Sequence, residues 1–167
     1  MRFLVATIFL AALSAASIYA GDTKKSATPG TDDLSRYVAA EAKPGGRTTL
    51  RDASGRTLGT AGTSGTRTTF HDQSGRTTGT VTVEGDRSVF RDSAGRTVAT
   101  ATKSGKQTIY RDAAGRTQAI SLADRDRTTF RDPSGRTTTT VRSTGTTATS
   151  QDPRGRTIAT SSSTSRK

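Results

Sequence analysis

Beyond residue 46 the chain never gathers its apolar residues into a run. They stand singly among threonines, and the largest return at a fixed distance: Leu50, Phe70, Phe90, Tyr110 and Phe130 are twenty residues apart. Around them apolar and polar residues alternate with a period of two, and threonine fills 30 of the 121 positions from Arg47 onward. A period of two with β-branched enrichment predicts short, half-buried strands and excludes amphipathic helices.

The spacing is a repeat. With Arg47 as position one, the first copy reads R-T-T-L-R-D-A-S-G-R-T-L-G-T-A-G-T-S-G-T, and further copies begin at Arg67, Arg87, Gln107, Arg127 and Thr147 without insertion or deletion. A fixed period of this kind marks a repeat array. Each copy contains D-x-x-G-R: Asp52, Gly55 and Arg56; Asp72, Gly75 and Arg76; Asp92, Gly95 and Arg96; Asp112, Gly115 and Arg116; Asp132, Gly135 and Arg136; Asp152, Gly155 and Arg156. Asp caps a type I turn, Pro133 and Pro153 sit at its second position, and the Gly can take the positive φ that closes a three-residue hairpin connection. A second turn signal follows at Ser64-Gly65, Glu84-Gly85, Ser104-Gly105 and Thr144-Gly145, but the copy ending Asp124-Arg125-Asp126 lacks the Gly.

The expected path is therefore strand, turn, strand, turn, six times. Simple hairpin pairing sets Asp52 against Arg56, Arg51 against Thr57 and Leu50 against Leu58, and likewise Phe90 against Val98, Phe130 against Thr138 and Ser150 against Ile158. The fold class is all-β, with two arrangements open: an antiparallel β-meander or a spiral shell grown from it, and a stacked β-solenoid with like residues in columns about 4.7 Å apart. In a single-layer sheet the stripe of Phe70, Phe90, Tyr110 and Phe130 would be half wet, and covering it would supply burial that the chain otherwise lacks.

The first 46 residues do not share the pattern. Residues 1–20 have a basic start at Arg2, an apolar run from Phe3 to Leu13 and small residues up to Ala20, which is the layout of a secretory signal peptide. The run is shorter than the roughly 18–20 apolar residues that cross a bilayer, so no transmembrane segment is expected after cleavage. Residues 21–46 read as a flexible linker bounded by Pro29-Gly30 and Pro44-Gly45-Gly46, with one short helix open between Asp33 and Ala42. The array then occupies residues 47–167.

Composition sharpens this. Only 29% of the chain is hydrophobic, and 16 of those residues fall within the first twenty, so a deep single core is not expected. The formal net charge is +12, with 20 Arg against 6 Lys, and from Arg47 onward 21 basic residues face 10 acidic ones. Arginine binds phosphate and carboxylate through a rigid fork of donors, so polyanions are plausible partners. There is no cysteine, which removes disulfides and thiolate metal sites.

The D-x-x-G-R-T core, preceded by an aromatic residue and recurring every twenty residues over 47–157, resembles the YD repeats of the RHS family. That resemblance implies exported or surface-exposed bacterial β-sheet spirals, often shells around a toxin. In that family Tyr directly precedes Asp; here the place holds Arg51, His71, Arg91, Arg111, Arg131 and Gln151, with the aromatic one residue earlier. The layout of an exported chain of strand-turn-strand repeats is also similar to curlin, a fibre subunit, without its Gln and Asn ladders.

No hydrolase motif, P-loop or paired catalytic carboxylates occur, and with one histidine the usual catalytic constellations cannot be assembled. The protein is not expected to be an enzyme, and neither cofactor nor metal is expected, since each Asp stands alone beside an Arg, whereas a calcium loop clusters several oxygen ligands. His71 reads as a surface variant. Regular T-x-T rows of an ice-binding face are broken at Ile120 with Leu122 and at Thr140 with Arg142. The leading expectation is a secreted, cell-surface or periplasmic structural or adhesive element that self-associates into fibres or homo-oligomers through Phe70, Phe90, Tyr110 and Phe130. The alternative is a module that binds acidic polysaccharide, lipopolysaccharide or DNA through Arg51, Arg91, Arg111 and Arg131. A secreted effector is the third.

Overall fold

The computed structural model describes residues 46–165, and side chains as far as residue 164. The expected signal peptide, the linker up to residue 45 and the short helix within it lie outside the described residues. Gly46, expected in the linker, is instead the first residue of a strand.

Twelve strands follow one another: β1 (Gly46–Asp52), β2 (Thr57–Ser64), β3 (Arg67–Asp72), β4 (Thr77–Glu84), β5 (Arg87–Asp92), β6 (Thr97–Ser104), β7 (Gln107–Asp112), β8 (Thr117–Asp124), β9 (Arg127–Arg131), β10 (Thr137–Thr144), β11 (Thr147–Gln151) and β12 (Thr157–Ser165). Each copy of the repeat supplies one hairpin, as the turn chemistry requires. The meander does not stay open: β12 returns to pair antiparallel with β1, from Gly46↔Ser165 to Asp52↔Ala159, and the sheet closes into a barrel. Neither the spiral shell nor the stacked β-solenoid forms. The physical reason is that closure pairs both edge strands and covers the apolar face, which an open layer of this size leaves wet.

Pairing departs from the simple hairpin in one respect. A bulge between Leu50 and Arg51 moves Leu50 opposite Gly59, while Arg51 stays opposite Thr57 as expected. The same shift recurs in every copy, giving Phe70↔Gly79, Phe90↔Ala99, Tyr110↔Ala119, Phe130↔Thr139 and Ser150↔Ala159. Position twelve, expected to face the aromatic, is the extra residue of the bulge. The bulged register suits the sequence, because it sets the large side chain of position four against the smaller residue of position thirteen. On its other flank Phe70 meets Ala61, Phe90 meets Val81 and Tyr110 meets Ala101.

Large side chains set between small ones fill the interior. Phe70, Phe90, Tyr110 and Phe130 are 2–4% exposed, and the rings of Tyr110 and Phe130 tilt against each other at 6.0 Å between centroids. The aromatic stripe is therefore core rather than a half-wet face, and each ring so buried contributes about 1.5–3 kcal/mol. Close packing also dictates glycine at position 79, where a Cβ would lie 2.6 Å from the Arg91 carbonyl oxygen.

The outer wall is polar. Thr49, Thr60, Thr69, Thr129 and Thr140 occupy its middle band, with Arg47, Arg67, Arg87 and Arg127 toward one end. The large apolar side chains point inward, among buried Thr48, Thr68, Ser121 and Thr139, while threonine and arginine dominate outside, the reverse of the apolar lipid-facing band of a membrane-spanning barrel. The exception is an apolar patch on β5, β7 and β8, where Val89, Ile109 and Ile120 share this outer face and Leu122 is 40% exposed.

Candidate functional site

Because each hairpin turns at D-x-x-G-R, all six such turns lie at one end of the barrel. The opposite end carries the five connecting turns together with Gly46 and Ser165. In each D-x-x-G-R turn the Gly N–H donates to the Asp carbonyl at 2.9–3.1 Å, and the Asp N–H donates to the Arg carbonyl at 2.9 Å. The six glycines have φ between +81° and +86°. These are the expected turns.

The Asp side chain completes them. Asp112 Oδ1 accepts from the N–H groups of Ala114 and Arg116, both at 2.9 Å, and its Oδ2 accepts from Arg116 Nε at 2.8 Å and Gln118 Nε2 at 3.1 Å. Asp52 Oδ1 accepts from the Ser54 hydroxyl at 2.6 Å as well as from the backbone of Ser54 and Arg56. All six carboxyls are held below the ordinary value of 3.8. For Asp52, Asp72 and Asp132 the leading cause is the serine hydroxyl two residues on; for Asp92 and Asp152 it is the N–H of Arg96 and Arg156. For Asp112 partial desolvation is the largest influence and acts upward, but the Arg116 and Gln118 donors together outweigh it. Carboxylates so fully occupied have little left to offer an external cation. No group of three or more His, Cys, Asp or Glu that could hold a metal occurs among the described residues.

The arginines face the other way. Asp52, Asp92, Asp112 and Asp152 are tucked in, with side chains 10–24% exposed, while their partners Arg56, Arg96, Arg116 and Arg156 are 64–80% exposed. Arg76 and Arg136 donate their backbone N–H to Asp72 and Asp132 and their side chains are not needed for that bond. Arg154 adds one more, so with Arg51, Arg91, Arg111 and Arg131 this end carries eleven arginines against six aspartates.

Position five has a structural task that the sequence did not reveal. Arg51, Arg91 and Arg111 reach over the turn, each donating through one terminal nitrogen to the carbonyl of Gly55, Gly95 or Gly115 at 3.0–3.5 Å and to Thr57, Thr97 or Thr117 at 3.2–3.4 Å. His71 makes a comparable contact to the Thr77 hydroxyl at 3.4 Å. Arg131 is exposed at the equivalent place. The four arginines singled out as polymer contacts thus stand on the rim, three of them also bracing turns. The exposed arginines of position ten, read from sequence only as turn residues, complete the basic surface. The serines of D-x-S-G were the overlooked signal, since a hydroxyl two residues after an Asp is placed to bond it. Phe70, Phe90, Tyr110 and Phe130 contribute nothing to this surface. No family model, curated protein or solved structure matches the chain.

Proposed function

We propose that this is an exported, non-enzymatic β-barrel serving as an adhesive or structural element outside the inner membrane, and that its arginine rim holds an acidic polymer. Acidic polysaccharide, lipopolysaccharide phosphates and DNA phosphates all offer the required charge. The observation that carries this reading is the separation of charge at the turns: each aspartate is used up by its own hairpin, and the arginines project outward. The likeness to exported YD repeats points to the same setting. Stacking on bases has no support, because Phe70, Phe90, Tyr110 and Phe130 are inside, so contacts would be to backbone charge and insensitive to sequence.

Retention on heparin or duplex DNA tests it. Binding should collapse as salt rises, and replacing Arg76 and Arg136 by Gln should reduce the slope of log affinity against log salt by about 0.9 per lost phosphate contact on DNA. The same change at Arg67 and Arg87, at the opposite end, should leave the slope nearly unaltered. Binding that is absent or independent of salt overturns the reading.

Self-association into fibres or oligomers is the second reading. Closure has paired the strand edges and enclosed the aromatic stripe, so contact between copies would use the outer wall at Leu122, beside half-buried Ile109 and Ile120. Light scattering of Leu122→Thr against the unaltered chain tests it: equal, monomeric scattering at high concentration removes it.

A further inference from the structure

We propose a second site, which rests on its own cavity and shares only Arg56 with the polymer-binding rim: the mouth of the barrel inside the D-x-x-G-R rim binds a small amphiphilic anion, a short alkyl chain carrying one carboxylate, sulfate or phosphate. A cavity of about 690 Å³ opens there between the β1–β2 turn, the β11–β12 turn and the start of β10. That volume lies within the range of small-molecule pockets, about 300–1,000 Å³.

Its existence follows from how the copies differ. The bulge places Leu58, Thr78, Val98, Gln118, Thr138 and Ile158 around the mouth, all half-buried. The largest apolar pair of the six, Leu58 and Ile158, belongs to β2 and β12, on either side of β1, and both line the cavity. One layer deeper, five copies place Leu50, Phe70, Phe90, Tyr110 or Phe130 in the core, but the sixth places Ser150, between Val141 and Ala159. The smallest side chain of this layer thus lies beneath the cavity. Ser150 is fully buried, and its hydroxyl has no hydrogen-bond partner, an unfilled polar position in the layer beneath Thr139 and Ile158.

The walls select the ligand. Leu58, Ile158, Ala53 and Pro153 offer carbon surface for an alkyl chain. Asp52 and Asp152 also line the cavity, but their oxygens accept from Ser54, Arg56, Arg154 and Arg156, so a cationic head would gain little from them. The exposed guanidinium of Arg56 uses Nε for Asp52 and leaves its remaining donors to an anionic head.

Octanoate and octylammonium below their micelle concentrations, and octanol below its solubility limit, are suitable probes, followed by amide chemical shifts on the full mature chain. The expected result is saturable 1:1 binding of octanoate with a Kd on the order of 0.1–1 mM and shifts centred on Leu58, Thr139 and Ile158. Ile158→Gln and Leu58→Thr install residues that other copies already carry there, as Gln118 and Thr78, so the fold is preserved. Together they should weaken octanoate at least tenfold, while Val98→Thr across the mouth should not. Arg56→Gln should weaken octanoate several-fold and leave octanol unchanged. Absence of saturable binding, octylammonium binding as tightly as octanoate, or Ile158→Gln without effect overturns the proposal. Loss of octanoate binding in the Arg76 and Arg136 variants would also overturn it by moving the head group to the polymer surface, whereas loss of heparin retention alone would leave it standing.

Discussion

At one end of the barrel six turns share Asp, Gly and Arg at the same three places. At the other, the five turns read T-S-G-T, V-E-G-D, K-S-G-K, A-D-R-D and S-T-G-T. Both ends join the same strands, so the difference lies in how each turn is held. At the first, the Asp side chain accepts from the turn backbone and in four of the six copies also holds the Arg side chain, so a change of the Asp breaks several bonds. At the second, one left-handed residue reverses the chain, with φ of +57° to +60° at Gly65, Gly85, Gly105 and Gly145. The flanking side chains are then free to vary. Uniformity at one end records a structural demand, and variety at the other records its absence.

Acid should break this comparison most severely, because it acts on six turns together. The folded pKa values of Asp52, Asp72, Asp92, Asp112, Asp132 and Asp152 lie below their ordinary 3.8. A lowered folded pKa means that the unfolded chain binds protons first, so the stabilisation is complete above the ordinary value and is lost as pH falls through the folded one. Thermal melts followed by circular dichroism should show a nearly constant midpoint down to about pH 4 and a steep fall below it. A midpoint unmoved at pH 2 would show that the carboxylates do not hold this end.

Next in size is a single glycine. Gly115 has φ +81°, and a Cβ there would meet nothing within 4 Å. Gly115→Ala should therefore cost about 1–2 kcal/mol from backbone conformation alone, measured by urea unfolding. Arg125 is the converse case. It sits at φ +50° where its counterparts are glycine, so the turn that lacks the Gly forms nonetheless, with strain. Arg125→Gly should stabilise by about 0.5–1 kcal/mol, the relief of strain being partly offset by the freer unfolded chain. If it destabilises instead, Arg125 has a role that the variable end otherwise lacks.

Much of this architecture was legible because turn chemistry is local. Asp112, Gly115 and Arg116 announce their hairpin within five residues, and the period announces six of them. Closure was not legible, since pairing Leu50 with Ser161 joins residues 111 apart and no short pattern encodes it. The bulge was missed for a subtler reason: Leu58 and Val98 are apolar and looked like partners for Leu50 and Phe90, while the true partners, Gly59 and Ala99, are small because the space beside a large side chain must be small. At the site, the sequence marks Arg51 as a polymer contact and not as a brace, because its bonds to Gly55 and Thr57 are long-reach contacts over a turn whose backbone is already complete.

The smallest effect expected is at Lys106, and it discriminates well. Its ammonium lies 3.2 Å from Asp124, joining two turns of the variable end, and the two side chains are 77% and 76% exposed. The distance is ordinary for an ion pair, but water solvates both groups and salt screens them. In a double-mutant cycle with Lys106→Gln and Asp124→Asn, the coupling should be within about 0.5 kcal/mol and should vanish in 1 M salt. Asp112, with a side chain 10% exposed and backbone donors on one oxygen, is the contrast, because the bonds to that oxygen do not depend on a flexible partner. A coupling above about 1 kcal/mol at Lys106 would mean that charge organises the variable end as well. The diversity of its turns would then have to be read as five separate solutions to one structural demand rather than as freedom from it.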